Sequence, residues 1–191
     1  MIYIDPTEDT ALYKDVEYKV SNSLELWTGA DLMITTSTLP TTSEALVRLH
    51  IKNGAILVQR KSGLDLVSSI GERMNVSLAK MRDCDAQQVQ CVLLFIGGLK
   101  ENLDKTVMID NQQTSYSLDS IVGAIESWIE RGGVCSMIDK NYLSRWLVIK
   151  DQHILNYKDK KEKYVYRDSP MQDLITIKDW RLTIATFPMM G

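Results

Sequence analysis

The sequence predicts an α/β domain of three layers, with a central mixed sheet flanked by helices. Three observations carry that expectation. Short apolar runs of strand character dominate the first third of the chain. From Gly54 onward, strand-like and helix-like patterns alternate. The run Cys91–Ile96 (CVLLFI) is nearly continuous in apolar residues, as in a central strand covered on both faces.

Each element follows in order. Ile2–Ile4 reads as a short strand closing in the acidic turn Asp5-Pro6-Thr7-Glu8-Asp9. Val16–Val20 and Leu24–Trp27 read as further short extended pieces, and Thr28-Gly29-Ala30 turns into a strand that opens on a carboxylate, Asp31–Thr35. Residues 36–43 form a polar loop, and Ser43 caps a short helix ending near Asn53-Gly54, with His50 on its surface. Ala55–Val58 is a buried strand that runs into the polar cluster Gln59-Arg60-Lys61 and a turn at Ser62-Gly63. Leu66, Ile70, Met74, Leu78 and Met81 fall at helical spacing and predict one long amphipathic helix over Leu64–Met81. Residues 99–117 are polar and turn-rich. Ser117 caps a helix over Leu118–Ile129 whose apolar face is Ile121, Val122, Ile125 and Ile129. Gly132-Gly133 stops it, Val134–Met137 is a short strand, and Asp139 starts a helix to about His153 with Leu143, Trp146, Leu147 and Ile154 inward.

At 191 residues the chain suits one domain with a short appendage, and 45% hydrophobic with 25% charged residues supports a packed core. The formal net charge of −3 gives no global basic field, so a nucleic-acid binder of this composition needs a local basic patch and a cation to offset acidic groups near phosphate. Cys84, Cys91 and Cys135 are odd in number and lack a CxxC pair, which argues against a disulfide framework or a zinc site and fits a reducing intracellular compartment, cytoplasmic or nuclear/nucleoid. The opening MIYIDPTED lacks a basic n-region and does not read as a signal peptide, and no apolar run approaches a membrane span. Tyr157–Arg167 (YKDKKEKYVYR) is dense in basic and aromatic residues, a solvated linker or a strip able to follow a phosphate backbone.

The chemistry concentrates at the end of the central strand. Strand residues alternate faces, so Gln59 and Lys61 point to one side and Arg60 to the other. A carboxylate or amide two residues before a lysine is the layout of a PD-(D/E)xK metal nuclease core, in which the first side chain holds a metal ion and the lysine steadies the attacking water or the phosphorane charge. The plainer alternative is a charged strand end running into an exposed turn.

The spaced set Val58-Gln59-Arg60-Lys61-Ser62-Gly63-Leu64-Asp65-Leu66-Val67-Ser68-Ser69-Ile70 resembles the signature V-E-R-K-x-x-x-D-L-x-x-S-I of the XPF/Mus-type structure-specific DNA nuclease domain. Asp5-Pro6-Thr7-Glu8 stands where that family has a DxRE-like turn, and Gly29-Ala30-Asp31-Leu32 matches its glycine–aspartate strand start with one extra residue. Arg73-Met74 matches an arginine-bearing helix, and Leu93–Gly97 an LLIEG-like strand. Leu182–Gly191 resembles the opening of a helix-hairpin-helix segment, cut short. The resemblance covers the first hundred positions best. It divides the chain into a nuclease domain over 1–155, a basic and aromatic linker over 156–180 and the truncated hairpin start over 181–191.

This resemblance implies a restriction-endonuclease-like fold and Mg²⁺- or Mn²⁺-dependent cleavage of branched, fork- or flap-like DNA in repair or recombination. It implies Asp31 as the main metal carboxylate and Gln59 as its companion. Lys61 would steady the attacking hydroxide, and Asp5, Glu8 and Asp65 would complete the acidic cleft. Arg60 and Arg73 would contact phosphate. It also implies a homodimer or pairing with a related subunit. Two departures stand out. Gln59 replaces the family's glutamate, which removes one negative charge while keeping an amide oxygen, as in some active QxK members of the wider PD-(D/E)xK group. Pro6 interrupts the DxRE pattern. An alternative within the same family is a non-catalytic DNA-binding or dimer-partner subunit, and another nuclease on the same core is a further one.

Overall fold

The computed structural model describes residues 1–70, 72–84, 89–109 and 112–163. The chain divides into a unit of Met1–Tyr157 and a second of Lys158–Gly191, and residues 164–191, which hold most of the expected linker and the hairpin-like segment, lie outside the described residues.

A six-stranded mixed sheet forms the middle layer. Its strands are β1 (Ile2–Ile4), β2 (Tyr18–Val20), β3 (Leu32–Thr35), β4 (Ala55–Ser62), β5 (Val89–Ile96) and, late in the chain, β9 (Val134–Ile138), in the order β2-β1-β3-β4-β5-β9. β3 runs antiparallel to both β1 and β4, whereas β4–β5 and β5–β9 are parallel. The two-residue strand period sorts the side chains into two cores. Tyr3, Met33, Leu57, Leu93 and Phe95 face one layer of helices. Ile2, Ile4, Leu32, Ile34, Ile56, Val58, Val92 and Leu94 face Tyr13 and the helix α6 (Leu143–Lys163) through Leu143, Trp146 and Leu147.

The first helical layer holds α1 (Leu24–Thr28), α2 (Glu44–Lys52), α3 (Gly63–Ser69), α4 (Glu72–Asp83) and α5 (Leu118–Glu130). Ser43 and Ser117 cap α2 and α5 as their sequences predict, their hydroxyls accepting from Leu46 N–H and Ser120 N–H. Asp139 caps a short 3₁₀ turn, Lys140–Tyr142, that leads into α6.

Several elements differ from the sequence expectation, each for a physical reason. Leu24–Thr28 is helical rather than extended because its cap comes from elsewhere in the chain: the Asp5 carboxylate accepts from Glu25 N–H at 2.8 Å. β4 continues through Gln59-Arg60-Lys61 to Ser62, with no turn at Ser62-Gly63, because β5 supplies a parallel partner for every one of these residues, from Gln59↔Leu93 to Ser62↔Ile96. The long helix over 64–81 is two helices. Ile70 leaves the helical region at φ −53° and ψ 126°, and Ser68 and Ser69 turn their hydroxyls back onto the Asp65 carbonyl. His50 is fully buried: Nε2 pairs with the Leu39 carbonyl at 2.8 Å and the ring packs edge-on against Tyr3. Within 99–109 and 112–117 lies a separate antiparallel sheet of β6 (Leu99–Glu101), β7 (Thr106–Ile109) and β8 (Gln112–Ser117), with Val107 and Ile109 in the core. On α5 the inward position is Trp128, 1% exposed, and Ile129 is 38% exposed. Trp128 Nε1 donates to the Val134 carbonyl at 3.1 Å, which ties the helix end to β9.

Candidate active site

The sheet topology brings the ends of β1, β3 and β4 together, and the polar residues of the sequence collect there. Asp31 is placed by its backbone before its side chain acts. Its N–H donates to the Val58 carbonyl at 2.9 Å, and its own carbonyl accepts from Asp5 N–H at 2.9 Å. The residue is thus fixed between β1 and β4 at the mouth of β3. Gly29, just upstream, closes α1 in a left-handed conformation (φ 73°) that returns the chain toward the sheet.

Asp31 Oδ2 accepts two hydrogen bonds, from the Arg60 backbone N–H at 2.6 Å and from Gln59 Nε2 at 2.8 Å. Asp31 is 7% exposed and Gln59 1%. Burial pushes the Asp31 carboxyl up to about 7, and the nearby Glu8 carboxylate adds to the rise. The Arg60 N–H and the Lys61 charge oppose it, and Glu25 adds a smaller push upward. Gln59 spends its amide N–H on Asp31, so its buried Oε1 has no hydrogen-bond partner among the described residues. An orphaned buried acceptor beside a carboxylate is a two-oxygen donor set of the hard kind. Lys61, on the same strand face as Gln59, is partly exposed and makes no hydrogen bond or ion pair among the described residues.

Arg60 turns to the opposite face of β4. Its guanidinium forks onto Glu8, with Nε to Oε2 at 2.5 Å and Nη2 to Oε1 at 3.1 Å, and Tyr13 donates its hydroxyl to the same Oε2 at 2.5 Å. Burial works against the Arg60 charge, but the Glu8 carboxylate outweighs it and the guanidinium is held more firmly protonated than usual. Tyr13 is pushed well above its ordinary range by burial and then by Glu8.

The remaining sequence candidates are distributed. Asp5 is buried and fully engaged, accepting from Thr7 N–H (3.0 Å), the Thr7 hydroxyl (2.7 Å) and Glu25 N–H (2.8 Å). Asp65 lies exposed in the first turn of α3 and accepts from the Ser62 hydroxyl at 2.9 Å. Arg73 is exposed on α4. Asp31, Gln59 and Lys61 are therefore grouped, Glu8 and Arg60 form a pair on the other face, and Asp65 and Arg73 sit on the following helices. Among the described residues no three His, Cys, Asp or Glu side chains converge as a metal-holding group. Cys84 and Cys91 are buried, and burial pushes the Cys135 thiol up to about 12.

Sequence reasoning missed Tyr13 and Glu25. Tyr13 follows Glu8 by five positions and had no local pattern to mark it; only the folded turn aims its hydroxyl at Glu8. Glu25 sits in the first turn of α1, an element that the sequence predicted as extended.

Among the described residues no helix is long and apolar enough to cross a membrane. No protein-family model matches the chain, and no curated protein matches it. Among solved structures, XPF from Aeropyrum pernix is similar at a TM-score of 0.50 and 12% identity, over 100% of this chain and 75% of that one. The same protein in complex with DNA gives a TM-score of 0.44 and 13% identity over the same shares. At such identity the first of these likenesses speaks to fold alone. The six-stranded mixed sheet with helices on both faces is accordingly similar in fold to that XPF structure.

Proposed function

We propose that this domain is a metal-dependent endonuclease that hydrolyses phosphodiesters in branched, fork- or flap-like DNA. The observation that carries the reading is the Asp31 carboxylate beside Gln59 Oε1, with Lys61 next along the same strand face, the last two without partners among the described residues. Asp31 and Gln59 would hold Mg²⁺ or Mn²⁺. Mg²⁺ is commonly bound by one or two carboxylates and completed by water and substrate phosphate, so a sparse protein donor set suits it. When bound, such an ion polarises a phosphoryl oxygen and lowers the pKa of its water. Lys61 supplies the positive charge that faces a phosphorane as it gains negative charge. The Arg60 backbone N–H keeps the Asp31 carboxylate aimed, and the Glu8 pair keeps Arg60 in place. Loss of the charge that glutamate would carry at position 59 weakens metal affinity, because affinity for hard cations rises with the charge of the ligand set.

A second reading has its own observation. Glu8, an acid that the family resemblance assigns to the cleft, is closed against Arg60 and Tyr13. This favours a non-catalytic DNA-binding subunit that pairs with itself or with a related active chain. Cleavage of labelled fork, flap and linear duplex DNA with Mg²⁺ or Mn²⁺ separates the two, run on the wild type, Lys61→Ala and Gln59→Glu. Cutting of branched DNA that Lys61→Ala lowers by about 10²-fold or more supports the enzyme. Binding of branched DNA with no cutting by any of the three supports the partner subunit.

A further inference from the structure

We infer that Gln59 does for Asp31 what a bound cation does for a pair of carboxylates, so that this domain folds with its site assembled in the absence of divalent metal. The inference deepens the proposed function by assigning the metal-free state of that same site. It rests on one contact, Gln59 Nε2 donating to Asp31 Oδ2 at 2.8 Å.

Both side chains are nearly sealed from water, at 1% and 7% exposure. Gln59 is the only side chain among the described residues that hydrogen-bonds to the Asp31 carboxylate; the other donor is the Arg60 backbone. A carboxylate in the place of the amide has no N–H to give. It would set two acceptors at hydrogen-bond distance in a buried site, each repelling the other in a low local dielectric. No compensation comes from across the strand, because the Arg60 guanidinium is already forked onto Glu8. Such a carboxylate pair is held together only by a shared proton, by the neighbouring Lys61 charge or by a bound cation, and where a cation does so its fold is linked to metal. The amide needs none of them. Gln59 also keeps Oε1 unused, so holding Asp31 does not consume the acceptor that a cation would take.

The test is thermal unfolding of the full chain, followed by circular dichroism, in EDTA and in Mg²⁺ or Mn²⁺. It compares the wild type, Gln59→Glu, and Gln59→Glu combined with Asp31→Asn. In EDTA the wild type unfolds cooperatively, and Gln59→Glu melts about 10 °C lower. The double variant recovers most of that loss in EDTA, because an amide at position 31 can donate to the introduced carboxylate. Equal melting of wild type and Gln59→Glu in EDTA would overturn the inference. So would a double variant as unstable as the single one, which would make the loss one of shape. With the double variant recovered, the inference stands whether or not metal raises the melting of Gln59→Glu. Failure of metal to do so counts against the metal site of the proposed function alone.

Discussion

Glu8 and Arg60 lie 52 positions apart and meet in a two-pronged ion pair beneath the end of β4, with side chains only 8% and 15% exposed. The pair joins the turn after β1 to the strand that carries Gln59 and Lys61, and Tyr13 closes it from a third side. Its position explains how a single residue serves two faces of the sheet. The Arg60 N–H aims Asp31 while the Arg60 side chain anchors the strand on the opposite face.

Removing one member of this pair leaves the other charge buried and unmatched. Glu8→Gln and Arg60→Met are each expected to cost about 3 kcal/mol, and the double variant less than the sum of the two. Urea unfolding of the four proteins gives the coupling energy. Additive losses would mean that the fork contributes nothing beyond the packing of each side chain.

The Asp31 carboxyl sets a pH dependence with a definite sign. Burial and Glu8 raise it from 3.8 to about 7, so between those values the folded chain holds a proton that the unfolded chain has released. Its contribution is fully present below about 3.8 and is lost as pH rises to about 7. In EDTA, Asp31→Asn should therefore stabilise the domain most above pH 7 and hardly at all near pH 4, by on the order of 4 kcal/mol at most. His50 pulls the other way, since burial lowers its pKa and favours the neutral ring as pH rises. The difference between wild type and Asp31→Asn across pH 4–8 isolates the carboxyl. A flat difference would place the proton elsewhere.

The layers of the fold were legible because they depend on local periodicity: apolar runs of strand length, serine caps, and a strand that turns polar at its end; the pairing of Asp31 with Gln59, 28 positions on, came only from the family resemblance. What the sequence concealed depends on partners distant in the chain. Leu24–Thr28 gives no helical signal of its own, and its cap is the carboxylate of Asp5. Ser62-Gly63 reads locally as a turn, yet β5 keeps Ser62 in the ladder. His50 lies at the end of a polar-looking helix, and only the return of Leu39 over it makes its burial possible. The acids were legible as a set but not in their engagements, because the same carboxylate can bind a cation, cap a helix or face an arginine. Asp5 takes the second role and Glu8 the third.

Gly29 links the packing of the first helical layer to the placement of Asp31, and it offers the sharpest steric test. Its φ is 73°, a region that side-chain-bearing residues adopt at a cost of about 1 kcal/mol. A Cβ there would also lie 2.8 Å from the Ser77 carbonyl oxygen and 2.9 Å from the Lys80 Cβ, both on α4. Backbone cannot swing aside as a flexible side chain can, so α1 and α4 must separate. Gly29→Ala should therefore cost about 2–4 kcal/mol in urea unfolding. Since Asp31 follows two residues later, the same variant should loosen the Asp31–Gln59 contact, read as faster hydrogen exchange at the Arg60 amide. Gly54 is the control: its φ is also positive, at 94°, but no atom lies within 4 Å of its added Cβ. Gly54→Ala should show the backbone cost alone and leave exchange at Arg60 unchanged. Equal losses from the two substitutions would show that the close approach of α1 to α4 adds nothing to the backbone cost, and unchanged exchange at Arg60 in Gly29→Ala would show that it does not hold Asp31 in place.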